Sequence, residues 1–156
     1  MKLSTLVLSN NTCLNCHNKT ILYIDSDKDS YTIISKILAP YNLKVIHATK
    51  GTKAIDVFIK DPGVIAILTE LELEGTNGFQ IIEQVRKINA EIPVFMLTTL
   101  NQYENILECL NSGFTDIIIK PIDFYLFIIT LLSYLKSSRH INKQDIDKQC
   151  IFNRIL

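Results

Sequence analysis

The sequence has no excess of charge: sixteen basic residues offset sixteen acidic ones in 156, a formal net charge of +0. A neutral chain carries no overall field to gather nucleic-acid phosphates or anionic lipid, and no local cluster of Lys and Arg makes up for it. Nucleic acid and membrane surfaces are therefore not expected partners. Long apolar runs are also missing. Leu3 to Leu8 is broken by Ser4 and Thr5 and is too short for a secretory signal core. Phe124 to Leu135 is interrupted by Thr130 and Ser133, well short of the roughly 20 residues that cross a bilayer. The expectation is a soluble, cytoplasmic protein. Cysteine is sparse, and Cys109 and Cys150 stand too far apart for the dense disulfide framework of a small secreted fold.

What is present is enough apolar material, 47% of the residues, for one ordinary domain with a real core. Residues 1–19 are polar and rich in Asn and read as an arm, 20–137 as the domain, and 138–156 as a C-terminal tail. From Thr20 onward, apolar runs of strand length alternate with helical periodicity. The runs are Ile21 to Ile24, Leu43 to Ile46, Val64 to Leu68, Val94 to Leu97 and Ile117 to Ile119. Between them Ile33, Ile34, Ile37 and Leu38, then Ala54, Val57 and Phe58, then Ile81, Ile82, Val85 and Ile88 repeat at three and four residues. Strand alternating with helix requires a parallel sheet covered on both faces, the doubly wound α/β class.

Such sheets place their working loops at the carboxyl ends of the strands. The residues there are Asp25, Ser26 and Asp27 after the first, Glu70 after the third, Thr98 after the fourth and Lys120 after the fifth. Carboxylates hold a hard cation, and a hydroxyl with an ammonium takes phosphoryl oxygens, so one rim carrying all of them suits a divalent ion and a phosphoryl group. Each alone has a plainer reading, since an acid ahead of a helix is often only its N-cap. A flavodoxin-like cofactor site shares the topology, but the first turn, Asp25-Ser26-Asp27-Lys28, has no glycine to let backbone approach a phosphate.

Over about residues 20 to 137 the sequence resembles the response-regulator receiver family. Ile21 to Asp27 is similar to the family's first strand and acidic turn, Asn77-Gly78-Phe79 to its entry into the third helix, Pro93 to Thr98 to its fourth strand and Lys120-Pro121 to its Lys-Pro pair. The resemblance implies a five-stranded flavodoxin-like sheet of order 2-1-3-4-5, two-component phosphorelay signalling, and a histidine kinase or another signalling protein as partner. It places Glu70 at the phosphoacceptor position and Ser26 where the second acid belongs. It also implies Asp25, Glu70 and the carbonyl of Glu72 as metal contacts, Thr98 and Lys120 as phosphate ligands, and Ile117 where an aromatic switch residue often sits.

The departures have physical consequences. A Glu carboxylate reaches roughly 1.5 Å further than Asp, which misplaces an in-line attack. Ser26 removes a charge and an oxygen ligand, so Mg²⁺ binding is expected to weaken. Glu70 either occupies the space of phosphoryl oxygens, accepting from Thr98 and pairing with Lys120, or forms a plain structural salt bridge. A non-enzymatic pseudo-receiver acting through protein interaction is the expectation; the alternative is phosphorylation at an unorthodox residue. The 19 residues after Ser137 are too few for a DNA-reading fold, so a stand-alone receiver is expected.

The last helix adds an interaction surface. Laid on the receiver pattern, the resemblance puts Tyr125, Leu126, Thr130 and Leu132 where charged, solvent-facing residues are usual, and Phe127, Ile128 and Leu131 facing the sheet. A helix apolar all round needs a cover, either a partner such as a second copy forming a homodimer or the apolar end of the tail. Cys13-Leu14-Asn15-Cys16-His17 has the spacing of c-type haem attachment, but without an export signal. Zinc held by Cys13, Cys16 and one of His17, His140 or Cys150 lacks the second paired spacing. A chance cluster is the expectation. His47 reads as a partly buried strand histidine.

Overall fold

β1 (Thr20–Ile24) is buried at every position, as a strand must be when helices cover both faces of its sheet. The computed structural model describes residues 19–99 and 106–137. The Cys13-Cys16-His17 motif and the tail with His140 and Cys150 lie outside the described residues.

After β1 the chain turns into α1 (Lys28–Leu38), whose N-cap Asp27 accepts from the Asp29 N–H, and which buries Ile34 and Leu38. A short 3₁₀ turn (Ala39–Tyr41) ends on Asn42 at φ 56°, a left-handed conformation that Asn tolerates. There follow β2 (Lys44–Ala48), α2 (Gly51–Lys60), β3 (Val64–Glu70), a small hairpin of β4 (Glu72–Leu73) and β5 (Thr76–Asn77), and α3 (Gly78–Ile88). β6 (Val94–Thr99), α4 (Ile106–Asn111), β7 (Asp116–Lys120) and α5 (Phe124–Ser137) complete the described elements.

The main strands pair in parallel in the order β2-β1-β3-β6-β7. That is the doubly wound order 2-1-3-4-5 expected from the sequence, with the hairpin as an addition. Alternate residues of each strand feed two cores. Tyr23, Leu68, Phe95 and Leu97 meet Ile34 and Leu38 of α1 and Phe127, Leu131 and Leu135 of α5 on one face. Leu22, Ile24, Ile67 and Met96 meet Ala54 and Phe58 of α2 and Ile81, Ile82 and Val85 of α3 on the other.

Leu132 belongs to the first core and is only 2% exposed, so its assignment to an interaction surface is corrected. Because α5 is apolar on all sides, periodicity did not mark which stripe faces the sheet. The exposed apolar face consists of Phe124, Tyr125, Leu126 and Ile129.

α3 begins with a reciprocal cap. Asn77 Oδ1 accepts from the Gln80 N–H at 3.0 Å, and Gln80 Oε1 accepts from the Asn77 N–H at 3.2 Å. The next residue cannot carry a side chain without a shift: a Cβ on Gly78 would lie 2.9 Å from Met96 Cε and 3.1 Å from the Glu70 carbonyl oxygen. The Gly78 N–H donates to the Leu71 carbonyl at 2.8 Å, closing the hairpin loop beneath the end of β3.

Candidate functional site

The sheet register brings three charged residues together at its carboxyl edge. Asp25 follows β1, Glu70 ends β3 and Lys120 ends β7. The Lys120 ammonium donates to Asp25 Oδ2 at 2.8 Å and also to Glu70 Oε2. Asp25 is almost wholly buried, and a buried carboxylate is tolerable only when its oxygens are satisfied. Its Oδ1 accepts from the Asp27 N–H at 2.9 Å, and its Oδ2 accepts a second bond, from the Tyr23 hydroxyl, at 2.8 Å. Its backbone carbonyl accepts from His47 Nε2 at 2.7 Å, and the His47 ring stacks on Tyr31 with centroids 4.7 Å apart.

The two carboxylates differ in support, and their acidities part accordingly. Burial works to raise Asp25, but Lys120, the Asp27 N–H and Tyr23 together outweigh it and hold the group below the ordinary aspartate value. Burial also raises Glu70. Its share of Lys120 and the Leu71 N–H at 3.3 Å do not overcome this, and the nearby Asp25 charge adds to it, so Glu70 lies above the ordinary glutamate value. Lys120 is lowered by burial but raised more by its two acidic partners, and it holds its proton above the usual lysine range.

Residues 21–130 match the family described as the response regulator receiver domain. The chain belongs to the receiver family. Its relatives include transcriptional regulatory protein ZraR of Klebsiella oxytoca, 27% identical over 119 residues, which are 76% of this chain and 27% of that protein. Two-component response regulator ORR3 of Oryza sativa subsp. indica is 29% identical over 65% of this chain and 79% of that one. The chain thus spans about a quarter of the ZraR regulators it matches. Among solved structures, a two-component response regulator from Clostridium difficile superposes with a TM-score of 0.70 at 25% identity, over 76% of this chain and 96% of that one.

Against the receiver pattern, the residues expected at the rim divide. Asp25, Glu70 and Lys120 converge. Ser26, expected from the resemblance to stand in for the second acid, is exposed. Asp27 is turned away to cap α1, accepting from the Asp29 N–H and from the Ser30 hydroxyl, which hold it below its ordinary value. Thr98, in β6 beside Leu97, the register partner of Glu70, is buried, and its hydroxyl has the Thr99 carbonyl at 3.4 Å. Ile117 is a half-buried β7 residue packed on the α2 and α3 core, and Glu72 is exposed in β4. Tyr125 and Leu126 are exposed on α5, 64% and 61%, as expected for a surface.

A receiver's Mg²⁺ needs carboxylate oxygens free to face it. Here Asp25 already accepts three hydrogen bonds, from Asp27, Tyr23 and Lys120, of the roughly four its carboxylate can take, Glu70 is drawn onto Lys120, and Ser26 supplies only a hydroxyl. Among the described residues, no group of three or more His, Cys, Asp or Glu is placed to hold a metal ion. This donor set fits Mg²⁺ poorly. Sequence reasoning overlooked Tyr23, because a tyrosine inside the run Ile21 to Ile24 looks like core; its spacing of two from Asp25 was the available signal, since it puts both on one side of the chain as it leaves β1. Among the described residues, no helix is long and apolar enough to cross a membrane.

Proposed function

We propose that this chain is a degenerate, non-enzymatic receiver that works by presenting a fixed surface to another signalling protein, such as a histidine kinase, rather than by acquiring phosphate at Glu70. The observation that carries this reading is the shared ion pair. Lys120, the residue expected to receive phosphoryl oxygens, is already bonded to both Asp25 and Glu70.

Phosphotransfer to this position would need a carboxylate oxygen aimed in line at a donor. The longer Glu70 side chain instead extends to the ammonium. The pair supplies within the chain the anionic contact that a phosphoryl group would offer Lys120, so the carboxyl edge holds one arrangement without a phosphate. The exposed Phe124, Tyr125, Leu126 and Ile129 on α5 form an apolar surface for a partner.

The reading is tested by following the amide NMR spectrum on adding Mg²⁺ and beryllofluoride, which imitates a phosphoryl group on an acceptor carboxylate. The wild type should not change, while a Ser26→Asp, Glu70→Asp variant should show shifts around β3, β6 and β7. Matching shifts in the wild type would favour the rival reading, in which the receiver still accepts phosphate.

A further inference from the structure

We infer that Tyr23, together with Lys120, takes the place of a divalent cation at Asp25, making Tyr23 the positioning residue that sets the acid pocket without metal. The inference rests on the reading of Asp25 and Glu70 as the acid pocket of a receiver.

Tyr23 lies in β1 on the face that meets α1 and α5, and Asp25 follows two residues on, just past the strand end, on the same side of the extended chain. The Tyr23 ring is fully buried in that core. Only its hydroxyl leaves the apolar layer, and it ends 2.8 Å from Asp25 Oδ2, the oxygen that also receives Lys120. A buried phenol needs a partner, and a buried carboxylate needs donors, so each satisfies the other.

A cation at this rim would neutralise and orient Asp25. Tyr23 and Lys120 already do both, one with a fixed hydroxyl carried on a core ring and the other with a positive charge. The Asp27 N–H fixes the second oxygen. Replacing Ser26 by an acid would restore a ligand without releasing Asp25. Metal affinity therefore depends on Tyr23 as well as on the missing acid.

The experiment is calorimetric titration of Mg²⁺ into the full chain and its Ser26→Asp, Tyr23→Phe and Tyr23→Phe, Ser26→Asp variants. Removing the phenol frees an Asp25 oxygen from a competing hydrogen bond to a charged group, so the double variant should bind about tenfold more tightly than Ser26→Asp alone. Equal affinity with and without the hydroxyl would overturn the role of Tyr23, as would a folded double variant that does not bind. A wild-type measurement stands apart from whether the variants fold. Melting should coincide in EDTA and in Mg²⁺, and an upward shift with Mg²⁺ would contradict the inference. Wild-type capture of phosphate from acetyl phosphate, combined with the tenfold gain, would refute the proposed function and leave Tyr23 in its role.

Discussion

Lys120 and Asp25 lie 95 residues apart in sequence and meet at 2.8 Å across the carboxyl edge of the sheet. The contact ties the last strand to the first, and Glu70 at the end of the central strand β3 joins it from between them. The side chains of Asp25 and Glu70 are only 4% and 16% exposed, so this is not a surface ion pair of little worth.

Removing the shared cation leaves two buried acids facing each other. Lys120→Met should lower unfolding free energy by about 3 kcal/mol, in the range for stranding one member of a buried pair. Urea denaturation checks it, and a loss under about 1 kcal/mol, typical of a solvated pair, would contradict the burial argument.

The raised Glu70 gives a pH dependence of definite sign. In the folded chain Glu70 keeps its proton to a higher pH than in the unfolded chain, where the value is about 4.3. Its contribution is therefore full below that value and is lost as pH rises through the folded value. The stability of the wild type minus that of Glu70→Gln should fall as pH rises above the unfolded value of about 4.3. A difference that rises instead would show that pairing with Lys120 outweighs burial.

Arg86 has a structural job away from the acid pocket. Its Nε and Nη2 donate to the Gly113 carbonyl at 2.9 and 2.7 Å, and its Nη1 donates to the Ile92 carbonyl at 2.7 Å. Its Nη1 also donates to the Asn89 carbonyl at 3.3 Å, so Arg86→Leu removes the guanidinium from three carbonyls and should cost about 2 kcal/mol. Amide exchange should quicken around α4 and the start of β7. Unchanged exchange there would mean the clamp is dispensable.

The two sides of α5 should respond oppositely to substitution. Leu126→Lys, on the exposed side, should change stability by no more than about 0.5 kcal/mol. Leu132→Ala, in the core, should cost at least about 2 kcal/mol. Thermal melts of the two variants give the comparison; similar melting temperatures would misplace the boundary between core and interaction face.

The strands were readable because their apolar residues run unbroken where helices cover both faces, as in Val64 to Leu68. Asp25 and Lys120 were readable because each directly follows such a run, and Glu70 because it follows one by a single Thr69. Other features left no comparable trace. The hairpin Glu72–Leu73 with Thr76–Asn77 has two residues per strand, too few to show a period. Asp27 has the same chemistry whether it lines a pocket or caps a helix, and only the turn geometry directs it to Asp29 and Ser30. The Tyr23 hydroxyl depends on how far a core ring reaches toward the next same-face residue, a matter of packing that composition does not encode.

The most direct measurement is the intact mass of the protein after incubation with Mg²⁺ and acetyl phosphate, beside a Ser26→Asp, Glu70→Asp variant. We expect the wild-type mass to stay unchanged while the variant gains a phosphoryl group. A wild type that gains the group would contradict the claim that this receiver signals without phosphate, and mapping the adduct would identify the residue that accepts it.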